Sequence, residues 1–398
     1  MSSMRSEPMT AVNRPLHVVQ IGFFNDPQGR DPAQLLDAWS TLADVAEAVA
    51  GRGVTVSVVQ SCARRAQLRR NGVDYYFQPF RARASEHGSA TLTELLRELA
   101  PEVLHVHGLD FHRDVAALAA RTPGVPIVVQ DHASRPPRPW RRSRWRRGLA
   151  HASGVAFCAR EQARPFVSAG LVGPHTRVYE IPESTSRFTP GDRREARRVA
   201  GVHGDPALLW VGHLDSNKDP LSVLEGVSVA ARALPGLRLY CCFATAPLLK
   251  PVKKRIASDP TLGQRVTLLG RVPHEQVEQL MRAADIFVLG SHHEGSGYSL
   301  IEALACGLPP VVTDIPSFRS LTGAGTVGAL WQCGDAHALA AGLQSVATQP
   351  KDETRAAVRA HFERELSFDS LGAKLVAMYE DVIEHVRARS ATAPAGDP

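Results

Sequence analysis

Two carboxylates, Glu294 and Glu302, bracket the part of this 398-residue chain that is richest in possible chemistry. Between them stand Gly295, Gly297, Tyr298 and Ser299, and Cys306-Gly307-Leu308-Pro309 marks where a short helix must stop. Glycine at 295 and 297 lets the backbone approach a ligand with no Cβ in the way. The first amides of a helix, with the positive end of its dipole, suit phosphate. Carboxylates on either side of a phosphate suit hydroxyl-rich groups. A nucleotide sugar has that layout of sugar, diphosphate and ribose. A purely structural reading competes with this one. Ser299-x-x-Glu302 also fits a capping box, in which Glu302 ties up an orphan amide, and Glu294 alone would serve as a solvated loop acid.

The elements needed to position these groups are legible around them. Ala284-Asp-Ile-Phe-Val-Leu-Gly290 reads as a buried parallel strand, so Glu294 falls at the carboxyl edge of a sheet, where open α/β sheets bind ligands. Upstream, Leu16–Gly22 reads as a first strand, Leu35–Ala50 as a helix stopped by Gly51-Arg-Gly53, and Val54–Val59 as a second strand. Helix Leu92–Leu99, strand Val103–His107, helix Val115–Arg121 and strands Pro126–Gln130, Gly154–Cys158 and Arg177–Ile181 follow. A second series begins at Ala207–Gly212 and runs through helix Leu221–Ala233, strand Leu237–Phe243, helix Leu248–Ile256, strand Val266–Leu269, helix His274–Ala283 and strand Pro310–Thr313. Strands alternating with helices argue for parallel sheets with right-handed crossovers. The expected organisation is α/β, with two similar units facing a cleft: residues 1–185, a polar linker 186–204, residues 205–366, a closing helix 367–388, and a disordered tail 389–398.

Bulk properties exclude several classes. A chain this long exceeds a single core, since cores stop growing near roughly 250–300 residues. Hydrophobic content of 44% and charged content of 22% are ordinary for a globular protein. Met1 to Pro15 lacks the apolar stretch of a signal peptide, and no run approaches the roughly 20 residues of a membrane span. The six cysteines form no CxxC pair and are expected to be reduced core residues of a cytoplasmic protein, with no zinc. Charge is uneven: residues 1–200 hold 28 Arg, no Lys and 19 acids, while the remainder is net negative.

The pattern E-G-x-G-x-x-x-x-E-A-x-A-x-G-x-P from Glu294 to Pro309 resembles the signature of retaining glycosyltransferases of family 4. Trp210-Val-Gly-His-Leu-Asp-Ser-Asn-Lys218-Asp-Pro220 is similar to that family's V-G-R-L-x-x-x-K segment, and Val129-Gln-Asp-His132 stands where the family often has T-x-H. The resemblance implies a GT-B fold, two Rossmann-like domains across a cleft with the last helix crossing back to the first. It implies a metal-independent reaction with no cofactor beyond a nucleotide-diphosphate sugar as co-substrate. By position, Lys218 would hold the donor phosphates, Glu294 the donor sugar's hydroxyls and Glu302 the ribose. Amides around Gly297, Tyr298 and Ser299 would cradle the diphosphate, with Gly295 beside them. Gly22 and Arg30 would approach phosphate or acceptor from the other domain, and His132 would sit beside the sugar. His213 stands where the family has Arg. An imidazole supplies that charge only when an anion such as the diphosphate holds a proton on it, and Arg271 and Arg319 are the alternative cations.

Arg135-Pro-Pro-Arg-Pro-Trp140-Arg-Arg-Ser-Arg-Trp145-Arg-Arg147 carries seven arginines and two tryptophans. Such a segment suits an anionic membrane surface, and many family members take lipid-linked acceptors. The competing reading is a solvated loop with both tryptophans packed on the domain. Nucleic acid is the least favoured partner, because no nucleic-acid-binding motif accompanies the charge. Rival functions on the same fold are a non-catalytic sugar-nucleotide binder and a sugar-nucleotide epimerase.

Overall fold

The computed structural model describes residues 15–80 and 86–392. Its first sheet contains β1 (His17–Gly22), β2 (Thr55–Ser61), β3 (Ala66–Arg70), β4 (Val73–Gln78), β5 (Val103–His107), β6 (Ile127–Gln130), β7 (Gly154–Phe157) and β8 (Arg177–Glu180). Their spatial order is β3-β4-β2-β1-β5-β6-β7-β8, and only the β3/β4 pair is antiparallel. The second sheet contains β9 (Ala207–Val211), β10 (Arg238–Cys242), β11 (Val266–Gly270), β12 (Ile286–Leu289), β13 (Pro310–Thr313) and β14 (Ala329–Trp331). It is wholly parallel, in the order β11-β10-β9-β12-β13-β14.

Buried β-branched runs make these strands. Alternate residues of the first sheet feed two cores on opposite faces: Val18, Val56, Val58 and Val103 line one, and Val19, Ile21, Val59 and Leu104 the other. The closing helix, Phe368–Thr392, adds Leu371, Leu375, Met378, Tyr379 and Val382 to the first of those cores, so it returns to the N-terminal unit. Gly372 permits the crossing, because a Cβ there would lie 2.2 Å from the Ala48 carbonyl oxygen. The helix runs past the expected end at Ala388, which places 389–392 in regular structure; residues 393–398 of the expected tail lie outside the described residues.

Several elements differ from the sequence reading. The expected helix 35–50 is two helices, Pro32–Ala38 and Ser40–Ala50, broken at Trp39. The β3/β4 hairpin turns on Asn71-Gly72, both with positive φ, a hairpin signal hidden by the arginine-rich, half-exposed β3. The stretch expected as linker contains a helix, Arg193–Ala200, capped by Asp192 and ended by Gly201 in the left-handed region. Arg193 and Arg197 on that helix both pair with Asp285, tying it to the second unit. Between β13 and the closing helix lie Pro316–Leu321, Ala336–Ala347 and Lys351–Glu365, which the sequence reading passed over. Five of the cysteines are buried and free as expected, whereas Cys333 is exposed.

Candidate active site

Two loops at the carboxyl edge of the second sheet are stitched together beside the cleft. Gly290, just past β12, makes room for one of them: a Cβ there would lie 3.0 Å from the Lys218 carbonyl oxygen and 3.1 Å from that of Asp219. The Asn217 amide donates to the His293 carbonyl at 2.9 Å, and the His292 amide donates back to the Asn217 carbonyl at 2.8 Å. Lys218 is further held by its own amide donating to Asp215 at 2.9 Å. The outcome is a direct ion pair between Lys218 Nζ and Glu294 Oε1, with both side chains mostly buried. The structure therefore joins the two residues that the sequence placed 76 positions apart.

The helix that follows, Tyr298–Ala305, starts at Gly297, whose φ of 65° belongs to the left-handed region. No side chain caps it, and the amides of Leu300 and Ile301 both donate to the Gly297 carbonyl. The capping-box reading of Ser299 and Glu302 is thus overturned. Glu302 instead accepts from His274 Nε2 at 2.6 Å, a bond that raises the His274 pKa. The helix N-terminus keeps its affinity for an anion, with the Lys218–Glu294 pair before it and Glu302 one helical turn inside.

Gly295 plays a different part from the one its type suggested. A Cβ there would lie 2.6 Å from the Ala133 amide nitrogen, so the glycine admits the backbone of the opposite unit. The Gln162 amide donates to the Glu294 carbonyl at 2.8 Å, and Ser296 donates to Glu183, two more links across the cleft. His213 is exposed, and its Nδ1 accepts the Thr245 amide at 3.4 Å, which leaves the proton on Nε2. Arg319 is already engaged by Asp314 at 2.8 Å and Glu161 at 3.3 Å.

On the N-terminal side, His132 follows β6 and is held from both ring nitrogens. Nδ1 lies 3.1 Å from Glu183 Oε2, and Nε2 lies 3.2 Å from His107 Nδ1. Behind them His105 stacks on His107 at 4.6 Å and meets the Tyr379 hydroxyl of the closing helix at 2.7 Å. Burial, with the neighbouring His132, pushes the His105 pKa down to about 3, and burial likewise lowers that of His107. His132 goes the other way. Burial works against its charge, but the hydrogen bond and negative charge of Glu183 outweigh it, and the pKa rises. An imidazolium at 132 then donates both protons, one to Glu183 and one to neutral His107.

Gly22, Arg30, His132 and Glu183 line one cavity of about 660 Å³. Gly22 faces Gln60, whose Oε1 would be 2.0 Å from a Cβ. The Arg30 guanidinium is held by Asp26 at 3.0 Å and Gln28 at 2.6 Å. Sequence reasoning missed Glu183, His107, Ser296 and Gln162. Of these, only the His105-x-His107 alternation on a predicted strand carried a local signal.

In the basic segment the two tryptophans part company. Trp145, on helix Arg142–Leu149, is buried against His112 at 5.1 Å, as the competing reading held. Trp140 is 68% exposed.

Two facing α/β units, a returning C-terminal helix and an uncapped helix N-terminus flanked by carboxylates define a protein of the GT-B architecture. The model for "Glycosyltransferase Family 4" matches residues 38–183 and that for "Glycosyl transferases group 1" matches residues 192–361, so the two adjoin at the cleft. The chain belongs to the family 4 glycosyltransferases. It is 28% identical over 276 residues to the GDP-mannose:cellobiosyl-diphosphopolyprenol alpha-mannosyltransferase of Xanthomonas campestris, covering 66% of this chain and 70% of that one. It is 31% identical over 261 residues to the D-inositol 3-phosphate glycosyltransferase of Geodermatophilus obscurus, covering 62% of this chain but only 57% of that relative. The structure of Anabaena HepE in complex with UDP shares the fold, with a TM-score of 0.66 and 17% identity over 92% of this chain and all of the other.

Proposed function

We propose that this chain transfers a sugar, with retention and without a metal ion, from a nucleotide-diphosphate sugar to a glycan acceptor carried on a lipid. The observation that carries the reading is the Lys218–Glu294 pair at the mouth of the uncapped helix Tyr298–Ala305. Departure of the nucleotide diphosphate develops negative charge, and a fixed cation there stabilises the transition state more than the bound donor. Lys218 exchanges its carboxylate partner for the phosphates, while Glu294 turns to the donor sugar's hydroxyls. Glu302 takes the ribose, and the amides of Gly297, Tyr298 and Ser299 take the diphosphate. His213 adds its Nε2–H. His132 lies beside the sugar.

The acceptor hydroxyl attacks the anomeric carbon from the face the diphosphate leaves. As the C–O bond to phosphate breaks and the new one forms, the departing phosphate takes the hydroxyl proton. Neither a protein base nor a metal is then needed.

The Xanthomonas relative's name specifies a diphosphopolyprenol-linked acceptor, and HepE binds UDP. Both support this class of donor and acceptor. With Trp140 and the arginines beside it exposed, peripheral contact with an anionic membrane at its cytoplasmic face fits the reading; no helix among the described residues is long and apolar enough to cross a membrane. Nucleic acid has no part in it. NMR of the anomeric signals during transfer or donor hydrolysis tests it. Turnover with retained configuration, lost in Glu294→Ala, is expected. Binding without turnover favours a non-catalytic binder, and a changed donor sugar without acceptor favours an epimerase.

A further inference from the structure

We propose that the acceptor site has two parts: a hydroxyl-reading cavity for a neutral sugar ring and, beside it, an arginine-lined cavity for the phosphate or diphosphate that carries that sugar. This rests on the transferase reading above and concerns which acceptor it takes.

The 660 Å³ cavity is built against a phosphate. Its arginine, Arg30, is already held by Asp26 and Gln28, and its other carboxylates are Asp110 and Glu183. Glu183 is 2% exposed, and its Oε1 has no hydrogen-bond partner; the Nε2 of His107 on the same wall has none either. Glu183 and His107 each bring a polar atom without a partner to this wall, and a hydroxyl, which both gives and takes a hydrogen bond, suits the pair. Trp39 and Phe111 supply ring faces for the C–H side of a sugar.

The adjoining cavity, of about 870 Å³, shares Asp110 and Phe111 with the first. Its walls carry Arg113, Arg135, Arg138, Arg141 and Arg144. Among the described residues, none of these five is in an ion pair; Arg138 lies over the exposed Trp140 ring at 5.3 Å. Asp110 and Asp114 are the acids lining this cavity, and burial weakens both as anions, raising the Asp114 carboxyl to about 7. Five arginines lining one space against two acids match the several oxygens of a phosphate or diphosphate in the paired geometry that arginine favours. Asp110 and Phe111 line both cavities, so a ring in the first and a phosphate in the second would lie side by side.

Calorimetric titration of the full chain tests this, with farnesyl diphosphate, inorganic pyrophosphate and farnesol as probes on wild type and on the R138Q/R141Q/R144Q variant. Farnesyl diphosphate should bind wild type and weaken at least tenfold in the variant, while farnesol binds neither and UDP affinity is unchanged. R141Q alone should give a smaller loss, and equal melting temperatures confirm that the variants fold. Methyl hexosides should bind wild type and the arginine variant alike, since the first cavity holds a neutral ring. The proposal is overturned if diphosphate affinity is unaltered by the substitutions. It is equally overturned if they abolish only sedimentation with phosphatidylglycerol vesicles, or only retention of an oligonucleotide, leaving diphosphate binding intact. Absence of methyl hexoside binding to wild type, or its loss in the arginine variant, overturns the first half. Absence of affinity for UDP, GDP and ADP in wild type would defeat the transferase reading instead, whatever the diphosphate titration shows.

Discussion

The two walls of the cleft are built in opposite ways. On the second unit, Lys218, Glu294 and Glu302 come from two short segments, each following a strand, and loop-to-loop hydrogen bonds from the Asn217 side chain and the His292 backbone amide bring them together. On the first unit, His107, His132, Glu183 and Gly22 come from four separate strand ends and meet only through the fold. A site made of local segments writes a motif, whereas a site made of dispersed strand ends does not. The second unit also holds a compensated Lys–Glu pair, while the first leaves polar atoms of Glu183 and His107 without partners.

This contrast is broken most sharply by removing its charged centre. Lys218→Ala should lower the transfer rate by about 10²–10³, equivalent to about 3–4 kcal/mol of transition-state stabilisation. Because the change strands the Glu294 carboxylate, a melting curve should accompany the rate, and Lys218→Ala/Glu294→Gln should recover stability without recovering activity. A rate near that of wild type would remove lysine from the mechanism.

A core change separates packing from chemistry. Leu375, fully buried where the closing helix meets the first unit, should lose roughly 2–5 kcal/mol on truncation to alanine, read by denaturant unfolding. Donor affinity at temperatures well below melting should be unchanged, since no donor-wall residue contacts that core.

The His132–Glu183 pair gives a pH signature. Its folded-state pKa is raised, so the stability it contributes is fully present below the ordinary histidine value of about 6.5 and is lost as pH rises through the elevated one. His105 and His107, lowered by burial, act in the opposite sense and lose stability as pH falls below about 6.5. The difference in melting temperature between wild type and Glu183→Gln isolates the first effect. That difference should shrink from pH 6 to pH 9, and a constant difference would contradict a charged His132.

The smallest expected effect concerns Ser299. Its hydroxyl caps nothing, so Ser299→Ala should change stability by no more than about 0.5 kcal/mol. A loss near 1 kcal/mol would reinstate the capping box.

Much of the fold was legible because parallel strands are buried on both faces and read as continuous apolar runs; Val103–His107 and Pro310–Thr313 are bounded as expected. The β3/β4 hairpin was obscured because an edge strand rich in arginine lacks that run, although Asn71-Gly72 marks its turn. The helix Arg193–Ala200 was hidden by its charge, despite a readable cap at Asp192 and stop at Gly201. Glu294 and Lys218 were singled out through their local pattern, and the structure pairs them. The contact of Gly295 with Ala133 was not legible, because that neighbour lies across the cleft. Glu183 could not be found locally, since its partners His132 and Ser296 are 51 and 113 residues away.

Calorimetric titration of UDP-, GDP-, ADP- and TDP-sugars into wild type and Lys218→Ala/Glu294→Gln tests the central claim most directly. At least one of the four should bind wild type and lose tenfold or more in affinity in the variant. Binding by none of them, or equal binding to both proteins, would contradict the assignment of Lys218 and Glu294 to a nucleotide-diphosphate sugar.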